Sequence, residues 1–184
     1  MPRYLWQTPT WPNFSWKSEL LLEPLAAVRK RQGRFLRAME ELGFEDGLRA
    51  YAVAVEEDAV HTAAIEGENL DREGARSSIA AHLGLPTAGL RPADRTVDGL
   101  IEVLLDATRN YEKPLEKDRL CAWHAALFPS GRSGLFPVIT GAWRNAPMKV
   151  VSGPFGRQKI HYEAPPPERV EDETASFEIT WEPE

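Results

Sequence analysis

Along the first third of the chain, apolar residues recur at intervals of three and four. Leu21, Leu25, Val28, Phe35, Met39 and Leu42 share one face of a helix spanning about Lys17 to Leu42, and Gly43 follows where a C-terminal cap belongs. Pro24 falls near its first turns, where proline disrupts least. A second helix is expected from about Gly47 to Glu66, with Leu48, Tyr51, Ala52, Val55, Ala59, Thr62 and Ala63 on its inner face and Gly67 as its stop. Its small residues suit close approach to a neighbouring backbone. A short helix follows from Asp71 to Leu83, with Asn69 as its N-cap and Gly84-Leu85-Pro86 ending it. The Pro- and Gly-dense stretch 86–92 reads as a connector, and the main boundary is placed there. Helices resume over about Asp94–Tyr111, with Val97, Leu100, Ile101, Leu104, Leu105 and Thr108 inward, and over Glu116–Leu127.

The rhythm changes after Phe128. Residues 129–145 are a loop by composition, and the runs MKVVSG and QKIHYE then flank a turn centred on Pro154-Phe155-Gly156. That is a β-hairpin over about Met148 to His161, and the only β element the pattern predicts. Prolines 165–167 break the chain, and the segment from Thr174 onward has no clean helical face. Residues 1–16, with Trp6, Trp11, Pro12, Phe14 and Trp16, carry neither rhythm and read as an extended arm. Each tryptophan offers on the order of 200 Å² of surface, so the arm should lie along the body of the protein rather than in water. The expected fold class is therefore mostly α, with one hairpin.

Charge and composition narrow the function. The 184 residues hold 22 Lys+Arg against 28 Asp+Glu, a net charge of −6, and eight of the acidic residues lie from Glu163 onward. Nucleic acid is not expected as a partner, because phosphate binding needs clustered cations. The cluster that exists, Arg29, Lys30, Arg31, Arg34 and Arg37, covers several helix faces and reads as solvated surface. No window resembles a membrane span or a signal peptide, so neither membrane nor export is expected. Cys121 is the only cysteine, which excludes an intramolecular disulfide and fits a cytoplasmic setting.

The four histidines, His61, His82, His124 and His161, have no helical metal-site spacing, and no phosphate loop or nucleophile elbow occurs. No catalytic or metal-binding residue is assigned. One residue is electrostatically out of place: Glu66 adds negative charge to the C-terminal end of its helix, an unfavourable interaction of about 0.3–1 kcal/mol. Water can absorb that cost, or the fold can supply an arginine partner.

Here the residues resemble a known family, the bacterial Fic proteins carrying a DUF4172 N-terminal region. The resemblance rests on Trp6-Gln7, Trp11-Pro12-Asn13-Phe14, Thr62-Ala-Ala-Ile-Glu66-Gly67-Glu68, Arg76-Ser-Ser-Ile79, Leu83-Gly84-Leu85, Trp123-His124 through Pro129, Gly141-Ala-Trp143-Arg144, Val150-Val151-Ser152-Gly153 and His161-Tyr162-Glu163-Ala164-Pro165-Pro166. It implies a helical Fic-type architecture divided into residues 1–86, the DUF4172-like region with an inhibitory helix at about 47–66, and 87–184, the start of a Fic-type domain with a flap at about 147–163. Fic enzymes transfer AMP from ATP to a protein hydroxyl, with magnesium on the phosphates. Thr62, Glu66 and Gly67 match the family's inhibitory pattern, in which the glutamate pairs with the second arginine of the catalytic motif and blocks the ATP γ-phosphate. Lys149, Val150, Val151, Ser152, Gly153, Ile160 and His161 match the flap that docks a target protein by strand addition. By their residues alone, the hairpin could equally be plain surface, Thr62 could bond its own helix backbone, and Trp123 and Trp143 read as core.

The family's catalytic signature, H-P-F-x-[D/E]-G-N-G-R-x-x-R, does not occur: no histidine here precedes Pro-Phe. The resemblance thus implies a chain that stops before the motif, with an incomplete core, binding neither ATP nor magnesium by itself and inactive alone. The alternative is a natural interaction module that inhibits a separate Fic core in trans. The tryptophan-rich arm leaves a dimer open.

Overall fold

The computed structural model describes residues 3–180 except Pro12 and Phe155, with backbone only for 177–180. The central residue of the hairpin turn, Phe155, and the terminal run Trp181-Glu-Pro-Glu184 therefore lie outside the described residues. The chain forms two compact units, one of residues 15–110 and the other of 1–14 with 111–184.

In the first unit the apolar periodicity becomes four helices, α1 (Ser18–Glu40), α2 (Phe44–Ile65), α3 (Arg72–Leu83) and α4 (Arg95–Arg109). Val55 and Ala59 of α2, Ala75 and Ile79 of α3, and Val97, Ile101 and Leu105 of α4 make the core, with Ile79 and Ile101 its largest fully buried side chains. Alanines at the α2 and α3 contacts let the helices approach, while the branched residues of α4 fill the space between them. Thus α4, beyond the 86–92 connector, packs on both α2 and α3.

Caps fix where these helices begin and end. The N-cap of α3 is Asp71, which accepts from the Glu73 N–H at 3.2 Å; the expected Asn69 lies two residues upstream of it. Asp94 caps α4, its Oδ1 accepting from Thr96 N–H at 2.8 Å and Val97 N–H at 2.9 Å. Replacing Asp94 by Ala leaves those donors to water and should cost about 1 kcal/mol, read as a lower urea midpoint with unchanged slope. Two expected inward positions turn out exposed: Thr108 at the last turn of α4 and Thr62 at the last turn of α2.

The second unit holds α5 (Lys117–Leu127), β1 (Arg132–Ser133), β2 (Phe136–Pro137), β3 (Lys149–Ser152), β4 (Lys159–Glu163) and α6 (Val170–Thr180). The β3–β4 pair is the expected hairpin. The expectation of a single β element fails at β1–β2, a two-residue ladder folded around Gly134, whose φ of +57° a side chain would resist. Helix α6 corrects the reading of the acidic tail. Its first turn carries Glu171, Asp172 and Glu173, which favour a helix N-terminus whatever the apolar pattern, and Arg169 pairs with Glu173.

Part of the arm packs within this unit, through Tyr4, Trp6 and Trp11, whereas Phe14 and Trp16 are exposed, against the expectation for the whole of 1–16. Trp6 Nε1 donates to the Glu163 carbonyl at 2.9 Å, and Trp11 Nε1 to Glu173 Oε2 at 2.7 Å. Tyr4 is buried, edge-on to Tyr162 with ring centroids 5.3 Å apart. Among the described residues of this unit it is the only buried hydrophobic one, whereas Leu135 and Phe136 are about three-quarters or more exposed.

Candidate functional site

Backbone hydrogen bonds close the last turn of α2 around Glu66. Gly67 adopts φ +78° and donates to the Ala64 carbonyl at 3.0 Å, while Glu68 N–H reaches back to the Ala63 carbonyl at 2.9 Å. This pair of bonds closes the helix as a Schellman motif, with the glycine in the left-handed position that a Cβ disfavours. Ala63 and Ala59, about one and two turns back, are buried, and Ala59 belongs to the three-helix core. Thr62, Glu66 and Gly67 themselves are exposed. Among the described residues Glu66 makes no ion pair, so its carboxylate stands exposed at the negative end of the helix dipole with no described cation beside it.

The buried acidic residue that receives arginines is Glu56, further back along α2. It accepts from Arg76 Nε at 3.0 Å, Arg76 Nη2 at 3.0 Å and Arg72 Nη1 at 3.3 Å; Arg72 also forks onto Glu57 at 2.7 and 3.1 Å. This bidentate network ties α2 to α3 and so stiffens the helix that carries Glu66. The residues alone did not single it out, because carboxylates are common in this chain. The available signal was position: Glu56 shares the inward stripe of Val55, Ala59 and Ala63, where an unpaired charge would be costly. Nearby, Ser78 Oγ donates to Asp98 Oδ1 at 2.6 Å and His82 Nε2 lies 3.2 Å from the same oxygen, an arrangement that joins α3 to α4 and spends the serine proton on the carboxylate.

Arg72, through its hydrogen bonds, holds the Glu57 carboxyl below its ordinary 4.5. The Gly74 N–H, aided by Arg91, holds Asp71 below 3.8. Because both folded values are depressed, the stabilisation is complete above the unfolded values and is lost as pH falls through the folded ones. Melting temperature should therefore decline from about pH 5 to about pH 3, and Arg72→Gln should shallow that decline. An identical slope in the variant would remove Glu57 from the account.

The hairpin pairs Lys149 with Glu163, Val150 with Tyr162, Val151 with Ile160 and Ser152 with Lys159, with a bulge between Val150 and Val151. An ion pair of 2.8 Å joins Lys149 Nζ to Glu163, and Ser152 Oγ meets His161 Nε2 at 2.6 Å. Gly153, at φ +97°, leads into the turn, and a Cβ there would meet the Arg157 carbonyl at 3.1 Å. Every residue of β3 is exposed. The Arg3 side chain and Trp6 of the arm take the carbonyls of Ile160 and Glu163, so the arm partly covers β4 and β3 is the edge left for an added strand.

A cavity of about 620 Å³ lies in the same unit, lined by Leu120, Cys121, His124, Ile139, Trp143 and Met148 among others. Trp143 Nε1 is buried there without an acceptor. Trp123 and Trp143 are half-buried. No group of three or more His, Cys, Asp or Glu residues placed to hold a metal occurs among the described residues. No described helix is long and apolar enough to cross a membrane.

Residues 4–85 match the family DUF4172, a domain of unknown function. The DUF4172 segment takes in Tyr4 and Trp6 of the arm, all of α1, α2 and α3, the Glu56 network and Glu66. It ends at Leu85, immediately before the connector, and does not reach the hairpin. No curated protein matches the chain.

Proposed function

We propose that this chain is the regulatory part of a Fic-type protein adenylyltransferase, with Glu66 as the inhibitory group and the β3–β4 hairpin as the flap that docks the target. The observation that carries the reading is Glu66 itself, an exposed carboxylate without an ion pair among the described residues, on backbone closed by a Schellman motif at the end of a helix that packs in the core through Val55 and Ala59. A guanidinium outside these residues is the partner this arrangement suits, since one arginine can fork onto a carboxylate or a phosphate but not onto both. The DUF4172 match over the same helix is consistent with it, and so is the open edge of β3. The catalytic histidine, ATP and magnesium belong to a Fic core carrying the H-P-F motif, and the chain by itself transfers nothing.

The test mixes this chain with a purified Fic core that bears the motif and follows labelled AMP reaching protein. The wild-type chain should slow transfer at subsaturating ATP, with relief as ATP rises, and Glu66→Gly should not. The free carboxylate also suits inhibition of a core on a separate polypeptide, and the mixing experiment reads that case directly.

A further inference from the structure

Residues 3–11 of the arm reach β4 without joining its ladder. Among the described residues no backbone hydrogen bond links them to the rest of their unit, and their own backbone bonds, such as Gln7 N–H to the Tyr4 carbonyl, are internal. Side chains alone attach them. Arg3 Nη2 donates to the Ile160 carbonyl at 3.2 Å, Trp6 Nε1 to the Glu163 carbonyl at 2.9 Å and Trp11 Nε1 to Glu173 Oε2 at 2.7 Å. Glu173 also pairs with Arg169, whose guanidinium lies 5.5 Å from the centroid of the Trp6 ring. One carboxylate of α6 thus holds both tryptophans, Trp11 directly and Trp6 through an arginine.

The two carbonyls taken on β4 face the same edge because of the bulge. In an unbroken strand, carbonyls three residues apart point to opposite edges. Val150 pairs with Tyr162 and Val151 with Ile160, so His161 is an extra residue in β4, and Ile160 and Glu163 both turn their carbonyls away from β3 and toward the arm. At that outer edge a further strand would place its N–H groups. The Arg3 and Trp6 donors stand in for that strand.

On the reading of the hairpin as a docking element, we propose that residues 3–11 are a detachable strap. Attached, it closes the outer edge of β4; released, it opens that edge to an extended peptide paired main chain to main chain. Attachment through side chains lets the arm leave without breaking a ladder. Closure also carries a standing penalty, because Tyr4 Oη is buried with no hydrogen-bond partner and regains water on release. Residues 13–17, which form neither helix nor strand, tether the strap to α1. The hairpin thereby has one edge open at all times, β3, and a second under the control of the DUF4172 segment, whose match begins at Tyr4.

The experiment uses the whole chain and, as a strand probe, a fluorescein-labelled peptide copying residues 148–153, with anisotropy to read binding and hydrogen exchange to locate it. Arg3→Ala with Trp6→Phe removes both donors to β4. Glu173→Ala removes the anchor on α6 and touches neither carbonyl. Both variants keep Tyr4 and every residue of the hairpin, so neither deletes a buried hydrophobic side chain. Each should bind the probe about tenfold more tightly than wild type, with new protection over residues 159–163, and an unlabelled peptide of residues 1–14 should reverse the gain. Wild-type binding at β3 that neither variant improves overturns the strap and leaves the hairpin a docking element. A gain in the Arg3 and Trp6 variant alone reduces the arm to a local cover and overturns the strap also, as does a gain whose protection stays within residues 149–152. A probe that binds no form of the chain overturns the strap and the docking reading of the hairpin together.

Discussion

Ile101→Ala should cost about 2–5 kcal/mol and lower the melting temperature of the α2–α3–α4 unit by on the order of 10–20 °C. Ile101 has no exposed surface and stands among Val55, Ala59, Ala75 and Ile79, of which the two alanines have nothing with which to fill the void. Partial collapse is therefore limited, and both the transfer term and the cavity term apply. Ile101→Val removes one methyl from the same site and should cost about 1 kcal/mol. Urea melts of the two variants decide the matter; a loss in Ile101→Ala no larger than that in Ile101→Val would mean that the core is looser than these contacts require.

The second large effect is functional. Glu66→Gly removes a carboxylate that is exposed and outside the core, so the melt should stay within about 0.5 kcal/mol of wild type, or improve, as the clash with the helix dipole disappears. Inhibition of a Fic core should nevertheless vanish. The dissociation of these two readouts matters, because a residue acting only through the fold would change both together. Glu66→Gln separates charge from shape: it keeps the side chain's reach but cannot form the charge-assisted fork, and it should inhibit weakly or not at all.

Much of this architecture was legible in the residues, for identifiable reasons. The helices were visible because their apolar positions repeat at the period of the backbone, and Gly67 and Gly84 mark ends that need a left-handed residue. The hairpin was visible because β-branched and aromatic residues flank a Pro-Phe-Gly turn. Helix α6 was missed because it is set by charges at its N-terminus rather than by an apolar face, and β1–β2 because two residues per strand leave no pattern. For the site, Glu66 stood out through a local conflict with the helix dipole. The Glu56–Arg72–Arg76 network did not, since it joins residues 16 and 20 apart on different helices and only packing brings them together. The arm illustrates the same divide: its tryptophans announce burial, which Trp16 does not reach, and the acceptors of Trp6 and Trp11, Glu163 and Glu173, lie 157 and 162 residues away.

The central claim is that Glu66 competes with the ATP γ-phosphate for one arginine of a Fic core, and the most direct test is calorimetric. ATP is titrated into a motif-bearing core at rising concentrations of this chain. The account predicts that the apparent Kd for ATP rises in proportion to the chain added, that ADP binding is far less affected because it lacks the contested phosphate, and that Glu66→Gly abolishes the dependence. An ATP affinity indifferent to the wild-type chain, or weakened equally by Glu66→Gly, would contradict it.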